Sequence, residues 1–117
     1  MSNPANDNRI DYIEFPVTDL PEAKRFYAAA FGWPFTDYGD DYAAFKDGRL
    51  DGGITSDPAG RTKAPLVVLY ATDLEATLER VTASGGTILK PIFAFPGGRR
   101  FHFADPAGNE LSVWSDK

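Results

Sequence analysis

His102 is the single histidine and cysteine is absent, so one imidazole is the whole supply of strong neutral-pH base and nitrogen metal ligand. Thiolate catalysis, disulfides and thiolate metal sites are excluded together. Carboxylates are the remaining proton-handling groups. Glu14 interrupts the apolar run Ile13-Glu14-Phe15, and in a partly dry cleft its pKa would rise and make it a general base. Its other reading is a carboxylate at an open mouth, hydrogen-bonded or paired with Arg99 or Arg100. His102 lies between Phe101 and Phe103, which point to the opposite face of a strand. Turned into a cleft, it is an acid/base group; turned into the protein, it is a satisfied structural histidine. Glu14, His102 and Glu110 have the composition of a two-carboxylate, one-histidine metal site, yet nothing in their spacing makes them converge. Gly97-Gly98 is no phosphate loop, because neither a helix start nor a P-loop lysine follows.

The elements that position these residues come in two copies. Thr18-Asp19-Leu20 recurs 54 residues on as Thr72-Asp73-Leu74, and a glycine follows each aspartate after 13 residues, at Gly32 and Gly86. Ile13, Phe15 and Val17 fall on Val67, Leu69 and Ala71 in the same register. Each copy opens with an alternating strand, about 10–17 and 66–71. A helix follows, capped by Asp19 or Asp73. Leu20, Ala23, Phe26, Tyr27, Ala30 and Phe31 form the expected buried stripe of the first helix, and Leu74, Leu78 and Val81 that of the second. Three extended segments complete each copy, about 33–39, 42–46 and 50–55, then 87–95, 99–104 and 109–114. Trp33, Phe35, Phe93 and Phe95 in these segments read as core or subunit contacts, and Asp105-Pro106-Ala107-Gly108 as a tight turn. The polar stretch 56–64 reads as a linker. The fold class is α+β, with βαβββ units at about 9–55 and 65–116 in a single domain over 1–117, since neither unit is large enough to be stable alone.

The 117 residues carry a net charge of -5, which repels nucleic-acid backbones and anionic membrane surfaces. No apolar run reaches the ~20 residues of a spanning helix and the first nine residues are polar, so a cytoplasmic address is expected.

The repeated units, Pro16-Val17-Thr18-Asp19-Leu20 leading to Phe26-Tyr27 and Phe31-Gly32-Trp33, and Phe101-His102-Phe103-Ala104-Asp105-Pro106-Ala107-Gly108-Asn109 together resemble the vicinal oxygen chelate superfamily. That superfamily includes glyoxalase I, extradiol dioxygenases and the bleomycin and fosfomycin resistance proteins, and the resemblance runs from about Arg9 to Ser115. It implies a curved eight-stranded sheet around a cleft, a homodimer, and a divalent metal chelating two neighbouring substrate oxygens. The positions it assigns to metal ligands are here Tyr12, Gly52, Leu66 and Ser112, a set unsuited to a divalent ion, so neither metal nor cofactor is expected. Strand parity puts Ile13, Phe15, Val67, Leu69, Leu111 and Val113 under the helices and leaves Tyr12, Glu14, Leu66, Val68, Tyr70, Glu110, Ser112 and Trp114 for the cleft, with Gly52 added by the resemblance. The expected function is binding of a small organic molecule, with metal-independent lyase or isomerase chemistry carried by Glu14 or His102. Non-catalytic binding of a toxin or antibiotic is the alternative, and a scaffold that has lost its chemistry is a third.

Overall fold

The computed structural model describes residues 4–117 and divides into two compact units. The first covers Tyr12–Leu66, and the second joins the N-terminal residues up to Asp11 to Val67–Lys117. The N-terminal residues thus pack with the second copy of the repeat: Asn8 N donates to Tyr70 O at 2.8 Å and Thr72 N to the Asp7 carboxylate at 2.8 Å.

The first unit takes most of β1 (Arg9–Pro16), then α1 (Leu20–Phe31), β2 (Phe35–Asp37), β3 (Tyr42–Lys46) and β4 (Asp51–Thr55), with strands in the order β2-β3-β4-β1. β1 and β4 are parallel and the other pairs antiparallel. The Asp19 carboxylate accepts from Glu22 N at 3.1 Å, and Gly32 closes α1 in a left-handed conformation at φ 75°. Leu20, Ala43, Phe45 and Ile54 make the core, with Phe15, Val17, Ala23, Trp33 and Phe35 against it. Two expectations need correction. The segment 33–39 is strand only over Phe35–Asp37, since Pro34 lacks the N–H that a ladder needs. The stripe of α1 is narrower than its apolar residues suggest: Leu20 is buried and Ala23 and Tyr27 half-buried, while Ala30 is exposed and Phe26 and Phe31 are 55% and 62% exposed. Phe26 is turned about 100° from Tyr27 around the helix and Phe31 is its last residue. Both rings contact the partly covered Tyr27, at centroid separations of 5.1 and 6.3 Å.

The second unit contains β5 (Leu66–Tyr70), whose first residue falls to the first unit, then α2 (Leu74–Ala83), β6 (Thr87–Phe95), β7 (Gly98–Ala104) and β8 (Glu110–Ser115), with strands in the order β5-β8-β7-β6. Ala71, Leu74, Phe101 and Val113 form its core, with Leu69, Leu78, Val81, Ile88, Ile92 and Phe103 packed on them. Asp73 caps α2 by accepting from Ala76 N at 3.0 Å. The repeat aligns Gly32 with Gly86, yet the left-handed residue after α2 is Gly85, at φ 103°. Between β7 and β8, the Asp105 carboxylate accepts from the Asn109 side chain and from the backbone of Asn109 and Ala107, and these bonds, the Asn109 side chain first, hold it below the usual carboxylate range. This segment serves as a turn that sets the register of β8. The register of β6 shifts between Ile88 and Lys90 and again between Lys90 and Phe93, and Lys90 pairs with His102 while Phe93 pairs with Arg100. The shifts put the odd-numbered Phe93 and Phe95 on the same face as Lys90, away from α2. Phe93 stacks on the His102 ring at 5.8 Å and Phe95 meets Trp114 at 6.2 Å, outside the core under α2. Among the described residues, no helix is long and apolar enough to cross a membrane.

Candidate functional site

In the first unit, parity on β1 places Tyr12 and Glu14 on the face away from α1. β3 has the same alternation, with Ala43 and Phe45 in the core under α1 and Tyr42 on the opposite face. The two phenols converge there: Tyr12 Oη and Tyr42 Oη share a short hydrogen bond, and the Glu14 charge lies near enough to act on the Tyr42 phenol. Glu14 itself is 7% exposed. Burial, first of all, then the neighbouring Glu14 charge and Tyr12, push the Tyr42 phenol far above its ordinary value, so it stays protonated and donates.

The hydroxyl pair lies over Gly53. Gly53 pairs with Glu14 on one side and Ala44 on the other, and a Cβ built on Gly53 would collide with both phenol oxygens. Gly52 is on the other face: its Cβ would strike the Phe45 ring and come within 2.5 Å of Ile13 O. The ligand-binding position expected at Gly52 is therefore corrected by one residue. Counting from the preceding turn misplaced it, whereas the β1–β4 ladder matches Gly53, not Gly52, to Ser112 of the second unit.

In the second unit, His102 on β7 pairs with Ser112 on β8 and Lys90 on β6. His102 is fully buried; its Nδ1 is 2.9 Å from Glu110 Oε2, and its Nε2 is buried with no hydrogen-bond partner among the described residues. Burial lowers its pKa below 6.5, and the positive charges of Arg100 and Lys90 add to that, against the opposing bond from Glu110. The neutral ring donates from Nδ1 to the acceptor-only carboxylate, which leaves a lone pair on Nε2. The Arg100 guanidinium sits 5.4 Å over both the Phe93 and Phe95 rings. Trp114 Nε1 donates to Asp11 at 2.9 Å, Tyr70 Oη to Asp116 at 2.7 Å, and the two rings meet edge to face at 5.3 Å.

The positions that the resemblance assigns to a metal do not fit one. Leu66 is aliphatic, Ser112 Oγ is committed to Phe101 O at 3.0 Å, the glycine position has no donor, and Tyr12 Oη is bonded to Tyr42. Among the described residues, no group of three or more His, Cys, Asp or Glu side chains is placed to hold an ion, the Glu14, His102 and Glu110 set included. A groove of about 820 Å³ in the first unit, lined by Val17, Glu22, Phe26, Arg61 and Lys63 among others, contains none of the candidate residues. Tyr42 was not singled out from the sequence. Its signal there was parity with Phe45 and a glycine at position 53 that no turn requires.

The pattern of the Glyoxalase/Bleomycin resistance protein/Dioxygenase superfamily matches residues 9–113, and the chain belongs to that superfamily. A glyoxylase-like domain-containing protein of Didymella fabae is 30% identical over 119 residues, covering 90% of this chain and 91% of its own. CFP32 of Mycobacterium tuberculosis is 28% identical over 115 residues, which cover 89% of this chain and 44% of CFP32. The crystal structure of the Mn(II)-bound glyoxalase from Novosphingobium aromaticivorans superposes with a TM-score of 0.69 at 25% identity, covering 95% of this chain and 40% of that one. This chain thus spans less than half the length of the last two proteins.

Proposed function

We propose that this protein binds a small organic molecule through the helix-free face of its strands and moves a proton on it without a metal, as in a lyase or isomerase reaction beside a carbonyl. The observation that carries this reading is His102: a neutral imidazole oriented by Glu110 at Nδ1, with a buried Nε2 that no group among the described residues satisfies. A buried polar atom without a partner is uncommon enough to demand an explanation, and a ligand atom bonded to Nε2 supplies one. In this arrangement, Nε2 takes the proton as general base and returns it as general acid, while Glu110 holds the ring in the right tautomer. Tyr70, Trp114 and Ser112 share the His102 face and serve as its binding surroundings. A second reading, binding without turnover, is favoured by the Tyr70–Trp114–Phe95 ring cluster beside the Asp11 and Asp116 carboxylates.

The test is a melting-shift screen against small carbonyl compounds and aromatic amines, with turnover of hits followed by NMR. A ligand that raises the melting temperature and is converted, with turnover lowered about 100-fold in His102→Gln at unchanged binding, supports the catalytic reading. Binding without conversion, weakened by Trp114→Ala, supports the second reading. Added Zn, Ni, Mn, Fe or Mg leaves the melting temperature unchanged; stoichiometric metal binding would overturn the metal-independent mechanism.

A further inference from the structure

His102 lies in a row across the sheet, with Lys90 beside it on β6 and Ser112 on β8. Directly opposed residues of an antiparallel pair share a face, so Lys90 and His102 are neighbours there, with Cβ atoms about 5 Å apart. The Phe93 ring, stacked on the imidazole at 5.8 Å, adds an apolar wall. Lys90 is half-buried, and among the described residues no carboxylate lies within ion-pair distance of it. The acid at this ring, Glu110, is bonded to Nδ1, and Ser112 Oγ is given to Phe101 O. The Arg100 guanidinium is engaged over Phe93 and Phe95 and is assigned no part here. Two needs therefore meet on one face: a buried Nε2 lone pair without a donor, and a cation without a counter-ion. A neutral ligand answers only the first. Moreover, once Nε2 takes a proton, the ring is positive beside an ammonium, and an anion between the two offsets their repulsion.

We infer that the molecule bound at His102 is a small organic acid, whose carboxylate pairs with the Lys90 ammonium while its acidic hydrogen faces Nε2. This rests on the small-molecule reading above and names its substrate class. In the transfer step the C–H bond next to a carbonyl breaks, its proton forms the N–H bond on Nε2, and the electron pair stays on the acid. The reverse step returns the proton, and no oxidant, reductant or metal takes part. Lys90 is the binding residue that holds the acid in register with the ring. A phosphate suits this place less well, because phosphates are held by several donors at once, commonly at a helix N-terminus, and α2 packs on the other face of these strands.

The chain has one histidine, so labelling with ¹⁵N-histidine gives ring signals of His102 alone. The full chain is titrated with a panel of small 2-oxo and aryl carboxylic acids, each beside its primary amide, and with inorganic phosphate. In wild type the acids are expected to shift the Nε2 signal and to bind at least about 10-fold more tightly than their amides. Lys90→Met should bring acid and amide to within about twofold of each other, whereas Lys90→Arg, which keeps the charge, should retain the preference. Equal binding of acid and amide by wild type, a preference that survives Lys90→Met, or phosphate bound as tightly as the acids overturns the carboxylate assignment. Proton transfer at His102 then still stands if the bound probe moves the Nε2 signal. Probes that bind and leave Nε2 unmoved overturn both, and failure of every acid to bind overturns the assignment of substrate class. The comparison of acid with amide needs only wild-type protein, so it decides the matter even where Lys90→Met does not fold.

Discussion

His102 ties the pH dependence of stability to the candidate site. Burial lowers its pKa in the folded protein, so the unfolded chain takes up a proton first as pH falls. Its contribution is fully present above the unfolded value of 6.5 and is lost as pH drops from there through the lowered folded value. Denaturant titrations at pH 7.5 and pH 5.5 should show wild type losing stability on acidification and His102→Gln losing less; equal losses would mean that His102 is not the titrating group. Part of this was legible in the sequence, because a lone histidine between two phenylalanines must face away from both. Its commitment to Glu110 and the Tyr12–Tyr42 bond were not, since they arise between strands, from ladder register that no local pattern encodes.

At the scale of elements, local signals read well and packing limits read poorly. Both helix caps, the strand parity of β1 and β5 and the Asp105 turn rest on neighbours within a few residues, and these were readable in advance. The Gly52-to-Gly53 correction and the altered face of Phe93 and Phe95 come from register offsets whose size depends on the partner strand. The exposed side of α1 has a measurable counterpart. Phe45 is 3% exposed and stacks on Trp33 at a centroid distance of 4.4 Å. Phe45→Ala should cost about 3–5 kcal/mol of unfolding free energy. The exposed Phe31 should cost under about 1 kcal/mol when truncated in the same way. Equal losses in chemical denaturation would place Phe31 in a core.

For the molecule as a whole, two observations agree on the family from separate directions: a repeat offset of 54 residues, and a superfamily match over residues 9–113. Membership carries the architecture but not the chemistry, because the positions used for a metal are filled here by a phenol, a glycine, a leucine and a hydroxyl already bonded to backbone. The resemblance also leads us to expect a homodimer. Sedimentation equilibrium should then give twice the 12.8 kDa of the chain, and a mass of one chain at micromolar concentration would retire that expectation.

Gly53 also constrains the order in which this site can change. A carboxylate introduced there to build an ion-binding site meets the Tyr42 and Tyr12 hydroxyls in the space its own side chain needs. Tyr42, the nearer of the two, must become smaller and Tyr12 must move, and that step removes the hydrogen bond between Tyr12 and Tyr42 before any new donor is gained. The two substitutions are coupled in one direction, so a lineage or a designer starting from this chain crosses a state with neither the phenol pair nor the new ligand.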